Sequence, residues 1–429
     1  MNAYEQMTKA EREAELKKVR AEFDALCAKK LSLNMARGKP GAHQLDLSTD
    51  MLTIVNDPAQ CKIDGIDARN YGELAGLPSA KKLFAEILGV TPEQCFIGGS
   101  ASLQLMYDVI AKAYTHGLRH SPKPWAREDH IKWLCPAPGY DRHFNVTKSF
   151  GMELITVPML DDGPDMDMVE KLVKDPTVNG IWCVPKYSNP QGISYDDETV
   201  RRFARLEPAA PDFRIFWDNA YGMHHLYDHR QDYLIEILAE CKRAGNPDLV
   251  YKFASTSKIT FPGSGIAALA TSPNNMEDFV TTLRRQTIGH DKVNQLRHVR
   301  FFCDIHGMVE HMRKHAAIIR PKFEMVEDTL AEHLEGLEIG TWTKPLGGYF
   351  IMFDSLPGCA KDIVALAKKA GVTMTPAGAT WPYGKDPNDS NIRIAPTYPC
   401  LSDLKTAMEI FTLCVRISSA KKILADRQA

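Results

Sequence analysis

Leu249-Val-Tyr-Lys-Phe-Ala-Ser-Thr-Ser-Lys258-Ile-Thr-Phe-Pro-Gly-Ser-Gly-Ile-Ala-Ala-Leu-Ala-Thr-Ser272 sets the reading of the whole chain. Leu249 to Phe253 is apolar and rich in β-favouring residues, which predicts a buried strand. The strand runs into Ser255, Thr256 and Ser257 and delivers a single lysine, Lys258. A Gly/Pro turn follows, then a second apolar strand, Ile266 to Ala270. An ammonium at the end of a core strand is costly to keep charged, and the neutral amine is a nucleophile suited to Schiff-base chemistry. Taken alone, this segment is better explained by a snorkelling lysine. Other segments argue for chemistry.

Upstream, the same pattern repeats. Phe213-Arg-Ile-Phe-Trp-Asp-Asn-Ala-Tyr221 is a buried strand tipped by Asp218, a carboxylate that must find a cationic or proton-donating partner. Gly180-Ile-Trp-Cys-Val-Pro-Lys-Tyr-Ser-Asn-Pro-Gln-Gly192 is a strand entering a polar loop, with Asn189 set between Ser188 and Pro190. Ile131 to Phe144 is a strand and a Pro/Gly loop ending on Tyr140. Gln94 to Ile110 gives a short strand, a turn (Gly98, Gly99, Ser100, Ala101, Ser102) and an apolar helix. Free N–H groups and two hydroxyls at a helix start make a natural phosphate seat, although small residues serve equally as a plain turn and cap. Strands alternating with helices, each ending in a chemically loaded loop, indicate an α/β sheet with its site along the carboxyl edges.

The flanks have a different texture. Thr8-Lys-Ala-Glu11 reads as a capping box opening a helix to about Lys30. Leu31 to Gly41 is a turn-rich loop carrying Arg37 and Lys39, either solvated or a substrate-facing gate. Asp161 to about Lys174 reads as turn and helix. Beyond His306 come a long charged helix over much of 311–333, a turn and strand from Pro345 to Phe353, and a helix near 361–370. A strand at 391–395 and a last helix over about 402–420 close the chain. The expected division is a large domain, 50–305, and a smaller α+β domain made of 1–49 and 306–429.

With 429 residues and 44% hydrophobic content the chain can bury a large core. Its 52 basic and 54 acidic residues nearly balance, and no basic stripe marks a nucleic-acid partner. Ten scattered cysteines without a C-x-x-C pair suggest reduced thiols in a cytoplasmic protein, not a disulfide frame or zinc site. No signal peptide and no membrane span are expected.

Asn189-Pro-Gln-Gly, Asp218-x-Ala-Tyr221, Ser255-x-Ser-Lys258 and Arg393 follow one another in the order and approximate spacing of fold type I aminotransferases. The chain most resembles a divergent branch of bacterial aspartate aminotransferases. The features carrying that likeness are Arg37-Gly-Lys-Pro, Asn70-Tyr-Gly-x-x-x-Gly-Leu and Pro138-Gly-Tyr-Asp-Arg-His-Phe144. The resemblance implies a mostly parallel seven-stranded sheet in an α/β large domain, a smaller α+β domain, and a homodimer sharing its active sites.

It further implies pyridoxal 5′-phosphate (PLP) as cofactor. Lys258 would hold it as an aldimine and then move the substrate proton, while Asp218 would pair with the ring nitrogen. Tyr221 and Asn189 would bond the ring oxygen, and Tyr140 would stack on the ring. Ser100, Ala101, Ser102 and Ser255 would seat the phosphate, with Tyr71 reaching it from the neighbouring subunit. The family's arginine after the lysine is missing from Phe261-Pro-Gly-Ser-Gly-Ile266, where Ser264 offers a hydroxyl instead. Arg393 would clamp the substrate α-carboxylate, a task suited to a planar guanidinium. Arg142 is the first candidate for a distal carboxylate, ahead of Lys39 with Gly38, Arg37 and Lys292. His224 and His225 are expected to be packing or surface residues.

The implied activity is transamination, with L-aspartate and 2-oxoglutarate giving oxaloacetate and L-glutamate. Aromatic, kynurenine or 2-aminoadipate transamination is the alternative within the chemistry. A PLP-binding regulatory sensor is the alternative outside it, disfavoured by the short segment before the first motif and the absence of a basic surface.

Overall fold

The computed structural model describes residues 3–426; Met1 and Asn2, which begin the segment read above as lacking a leader, lie outside them. The main sheet has eight strands. In spatial order they are Cys95–Ile97, Ala267–Thr271, Val250–Ser255, Arg214–Asp218, Val178–Cys183, Lys132–Ala137, Glu153–Leu160 and Gly163–Pro164. The eighth is an addition to the seven expected. It pairs antiparallel with Met159 and Leu160, inside the stretch read as turn and helix. Gly163, at φ +138°, makes that short return, and the helix starts only at Met166, capped by Asp165.

The pairings from Val250–Ser255 across to Glu153–Leu160 are parallel. Each parallel step needs a crossover, and helices Asp141–Ser149, Asp197–Ala204 and Ile237–Arg243 lie in these connections. Ala267–Thr271 instead runs antiparallel to both neighbours, because the turn after Lys258 is too short for a crossover. Side chains alternate between two cores. Ile215 and Trp217 pack on one face with Leu134 and Ile181, while Phe216 packs on the other with Trp133, Trp182 and Phe253. Burial on both faces explains why these strands read as continuous apolar runs.

A separate core gathers Val19 and Phe23 of the first helix with Phe323, Phe353, Ile394 and Phe411. Here an antiparallel sheet, ordered Gly340–Trp342, Ile351–Ser355 and Asn391–Ile394, packs with helices Ile305–Leu334, Ala360–Lys369 and Leu401–Asp426. The first helix, Lys9–Cys27, has the expected capping box: Glu11 N donates to Thr8 Oγ1 at 3.2 Å and Thr8 N to Glu11 Oε2 at 2.7 Å. It ends before Lys30, which lies at φ +51°. The long helix begins at Ile305, six residues before the 311–333 stretch expected, because Asp304 caps it through Gly307 N at 3.0 Å. Leu33–Asn34 pairs parallel with Val372–Thr373, which anchors the loop carrying Arg37, Gly38 and Lys39.

All ten cysteines are free thiols, and only Cys303 and Cys400 are exposed. No helix among the described residues is long and apolar enough to cross a membrane.

Candidate active site

Asp218 ends its strand in register with Phe253, two residues before the neighbouring strand stops at Ser255. The side chain is buried. His143 Nε2 donates to Asp218 Oδ2 at 3.1 Å, and Oδ1 is buried without a protein partner. His143 sits one turn beyond Tyr140 in the Asp141–Ser149 helix, its ring stacked on Trp182 at 4.5 Å and 14°. A buried carboxylate oxygen with no donor costs on the order of 1–3 kcal/mol or more, so this one fits an N–H brought by a bound group. Lys258 Nζ lies 4.9 Å from the centre of the Tyr221 ring and 5.9 Å from that of Tyr349. Burial, with Asp218's charge adding to it, pushes the Tyr221 hydroxyl well above the ordinary phenol range. Burial also raises Tyr140, which the Lys258 charge opposes.

Beside this floor, helix Ser102–His116 begins at Ala101, whose side chain cannot cap it. Its first N–H groups therefore remain available to an anion. Ser257 Oγ donates to Ser100 O and Ser255 Oγ to Ser257 Oγ, both at 3.1 Å, so three hydroxyl residues converge on that helix start. Ser264 is placed differently. Its hydroxyl donates to Asn294 Oδ1 at 3.4 Å, while Asn294 Nδ2 holds Ser264 O and Gly265 O at 3.0 and 2.9 Å. Asn294 thus fixes the turn from which the family's arginine is missing. Tyr71 is 79% exposed on this chain.

Arg393 comes from the smaller sheet. NH1 donates to Asn189 Oδ1 at 3.0 Å, NH2 donates to Thr375 Oγ1 at 3.2 Å, and the guanidinium lies over Phe350 at 4.8 Å. Its Nε is buried without a partner, and Asp141 Oδ1 stands 3.7 Å from NH1. Gly38 lies against the same Phe350; a Cβ there would meet the ring at 2.3 Å. The structure therefore brings together Asn189, Arg393 and Gly38. Arg142 and Arg37 are exposed, and Lys39 Nζ is engaged over the Tyr398 ring at 3.9 Å. Lys292 is buried at the start of its helix near the Gly72–Gly289 contact.

Beneath Lys258 lies a polar layer that sequence reasoning missed. Tyr349 OH donates to Lys258 O at 3.3 Å, and Gln44 Nε2 lies 3.0 Å from Tyr349 OH and 3.1 Å from His315 Nδ1. His311 Nε2 and His315 Nε2 approach Ile259 O at 2.7 and 2.9 Å. His315 Nδ1 accepts from Gln44, so its Nε2 carries the proton and the ring is neutral. Burial drives His224 and His315 down to about 3. His224, expected to be a packing or surface residue, is fully buried with Nε2 3.4 Å from Lys258 O. Thr375, Phe350 and Ser257 were also missed; of these only Ser257, next to the lysine, carried a usable signal. The position of His143, three residues after the aromatic Tyr140, could have pointed to it.

A family profile described as aspartate amino-transferase matches residues 7–427. A protein of Mycolicibacterium smegmatis named as an aminotransferase is 46% identical over 408 residues, covering 94% of this chain and 95% of that protein. The aspartate aminotransferase of Corynebacterium glutamicum is 43% identical over 403 residues, covering 94% and 93%. A crystal structure of an aspartate transaminase from Corynebacterium glutamicum superimposes with a TM-score of 0.96 at 41% identity, over 98% of this chain and 99% of that one.

Proposed function

The chain belongs to the aspartate aminotransferase family, and on that premise we propose that it transfers the amino group of L-aspartate to 2-oxoglutarate with PLP as its cofactor. When bound, PLP supplies an aldehyde that captures amines and a protonated ring that accepts electron density. Asp218 Oδ1 would accept the ring N–H, with His143 holding the other oxygen. The amide groups at Ala101 and Ser102, with Ser100, Ser255 and Ser257, would bind the phosphate, and Ser264 would stand on the same side. Tyr140 would pack on the ring, and Asn189 and Tyr221 would face its oxygen. Lys258 Nζ would hold the cofactor and would take and return the proton at the substrate's Cα.

Arg393 would bind the α-carboxylate through its unpartnered Nε and an NH group. Arg142, with Lys39 and Gly38 on the adjoining loop, would read the distal carboxylate. The two-domain division at 50–305 against 1–49 with 306–429 belongs to the same reading, as does a homodimer in which Tyr71 of each chain serves its partner's site.

The observation that carries this reading is the buried Asp218 oxygen left without a donor beside a histidine that fixes its twin. Borohydride reduction of the PLP-loaded protein, followed by peptide mapping, tests it. The adduct is expected on Lys258; an adduct on another lysine, or none, overturns the assignment. In the unreduced PLP-loaded protein, L-aspartate is expected to change the cofactor absorbance and 2-oxoglutarate to restore it. Arg142→Ala addresses specificity: dicarboxylate turnover should fall while aromatic turnover persists, and the opposite result removes Arg142 from its role.

A further inference from the structure

Arg393 is hydrogen-bonded in place by groups other than Asp141. Two neutral oxygens, Asn189 Oδ1 and Thr375 Oγ1, accept from its NH groups, and Phe350 supports its face. At 3.7 Å, Asp141 Oδ1 is outside hydrogen-bond distance of NH1, so its influence on the guanidinium is through charge. The two side chains are unequal: Arg393 is 9% exposed and Asp141 31%. The carboxylate therefore stands toward solvent from the clamp.

We propose that Asp141 is a charge-selectivity residue that makes the site favour amino acids over dicarboxylic oxo acids. The inference rests on reading Arg393 as the α-carboxylate clamp. A ligand carboxylate docking on Arg393 brings a second negative charge close to Asp141. For L-aspartate or L-glutamate, the α-ammonium one carbon away from that carboxylate offsets much of the repulsion, and the net charge of the ligand is −1. For 2-oxoglutarate or oxaloacetate no cation travels with the carboxylate, and the net charge is −2. Asp141 thus weakens binding of the oxo acid more than that of the amino acid. In each half-reaction it speeds departure of the oxo acid relative to the amino acid.

The test compares PLP-loaded wild type with Asp141→Asn, and with Asp141→Ser, a second neutral residue well tolerated at a helix start. KM is measured for L-aspartate and 2-oxoglutarate, and the Kd of succinate, a dianion that cannot react, by titration calorimetry. Both neutral variants are expected to lower the 2-oxoglutarate KM and the succinate Kd about fivefold, with the L-aspartate KM moving less than about twofold. The contrast should shrink at about 0.5 M salt, where the screening length is only a few ångströms. Asp141→Glu, which keeps the charge, is expected to retain the wild-type ratio. An unchanged or raised succinate Kd, or equal changes for amino and oxo acids, overturns the proposal. Arg393→Ala tests the premise separately: if succinate binds that variant as tightly as wild type, the clamp reading fails, whatever Asp141 does.

Discussion

Asp218 and Arg393 are both buried charges, and each keeps one polar atom free of protein partners, yet they are supported in opposite ways. Asp218 ends a strand with parallel neighbours on either side, and its other oxygen is tied to a histidine stacked on a core tryptophan. Arg393 lies on the outer strand of a three-stranded sheet. Its partners come from three separate segments, at Asn189, Thr375 and Phe350. The first arrangement suits a group that stays bound, because nothing around it needs to move. The second suits a ligand that enters and leaves, because the guanidinium is held by neutral groups and keeps Nε open for a carboxylate.

The contrast can be broken at several points. Lys258→Ala removes the amine beside Tyr221 and is expected to lower turnover about 10^4-fold, measured as the L-aspartate half-reaction. Arg393→Ala is expected to reduce kcat/KM for L-aspartate about 10^2- to 10^3-fold while leaving PLP affinity near wild type. A large loss of PLP affinity in that variant would erase the division of labour. His143→Ala should do the reverse, weakening PLP binding to the apoprotein about ten- to a hundredfold by equilibrium titration, since it removes one hydrogen bond to a charged group.

Gly38→Ala probes the Arg393 side, because the added methyl must displace the Phe350 ring beneath Arg393. A roughly tenfold rise in the KM for L-aspartate is expected, together with a loss of about 1–3 kcal/mol of stability from the overpacked ring.

A last effect, on stability and not on turnover, concerns the neutral histidines under Lys258. His224 and His315 titrate near 3 in the folded chain against an ordinary 6.5, so between those values the unfolded chain binds more protons. Stability is therefore complete above about pH 6.5 and falls as the pH drops through that window. His315→Gln, whose amide can still accept from Gln44 and donate to Ile259 O, should flatten the acid limb by up to about 1.4 kcal/mol per pH unit. Chemical denaturation at pH 4 to 7 measures it; an unchanged slope would show that His315 is protonated in the folded chain.

The strands were legible because burial on both faces writes an unbroken apolar run, as in Val250 to Phe253 and Ile215 to Trp217. Their ends were legible because a charge there, such as Asp218 or Lys258, has no place inside a core. The two-residue strand at Gly163 left too short a pattern to read. Ser264 illustrates a different limit: its hydroxyl has the right chemistry, but a contact with Asn294, thirty positions away, decides what it bonds.

From its sequence alone the chain fixes the alternating α/β order, the charged residues at strand ends and the motifs that place it with aminotransferases, since these depend on local pattern and on side-chain type. Only tertiary structure decides that Asn189 and Thr375 orient Arg393, that His143 leaves one Asp218 oxygen free, and that Asp141 stands beside Arg393. Those facts depend on distances between segments up to about two hundred and fifty residues apart, and such distances arise from packing whole elements against one another, which no local pattern encodes.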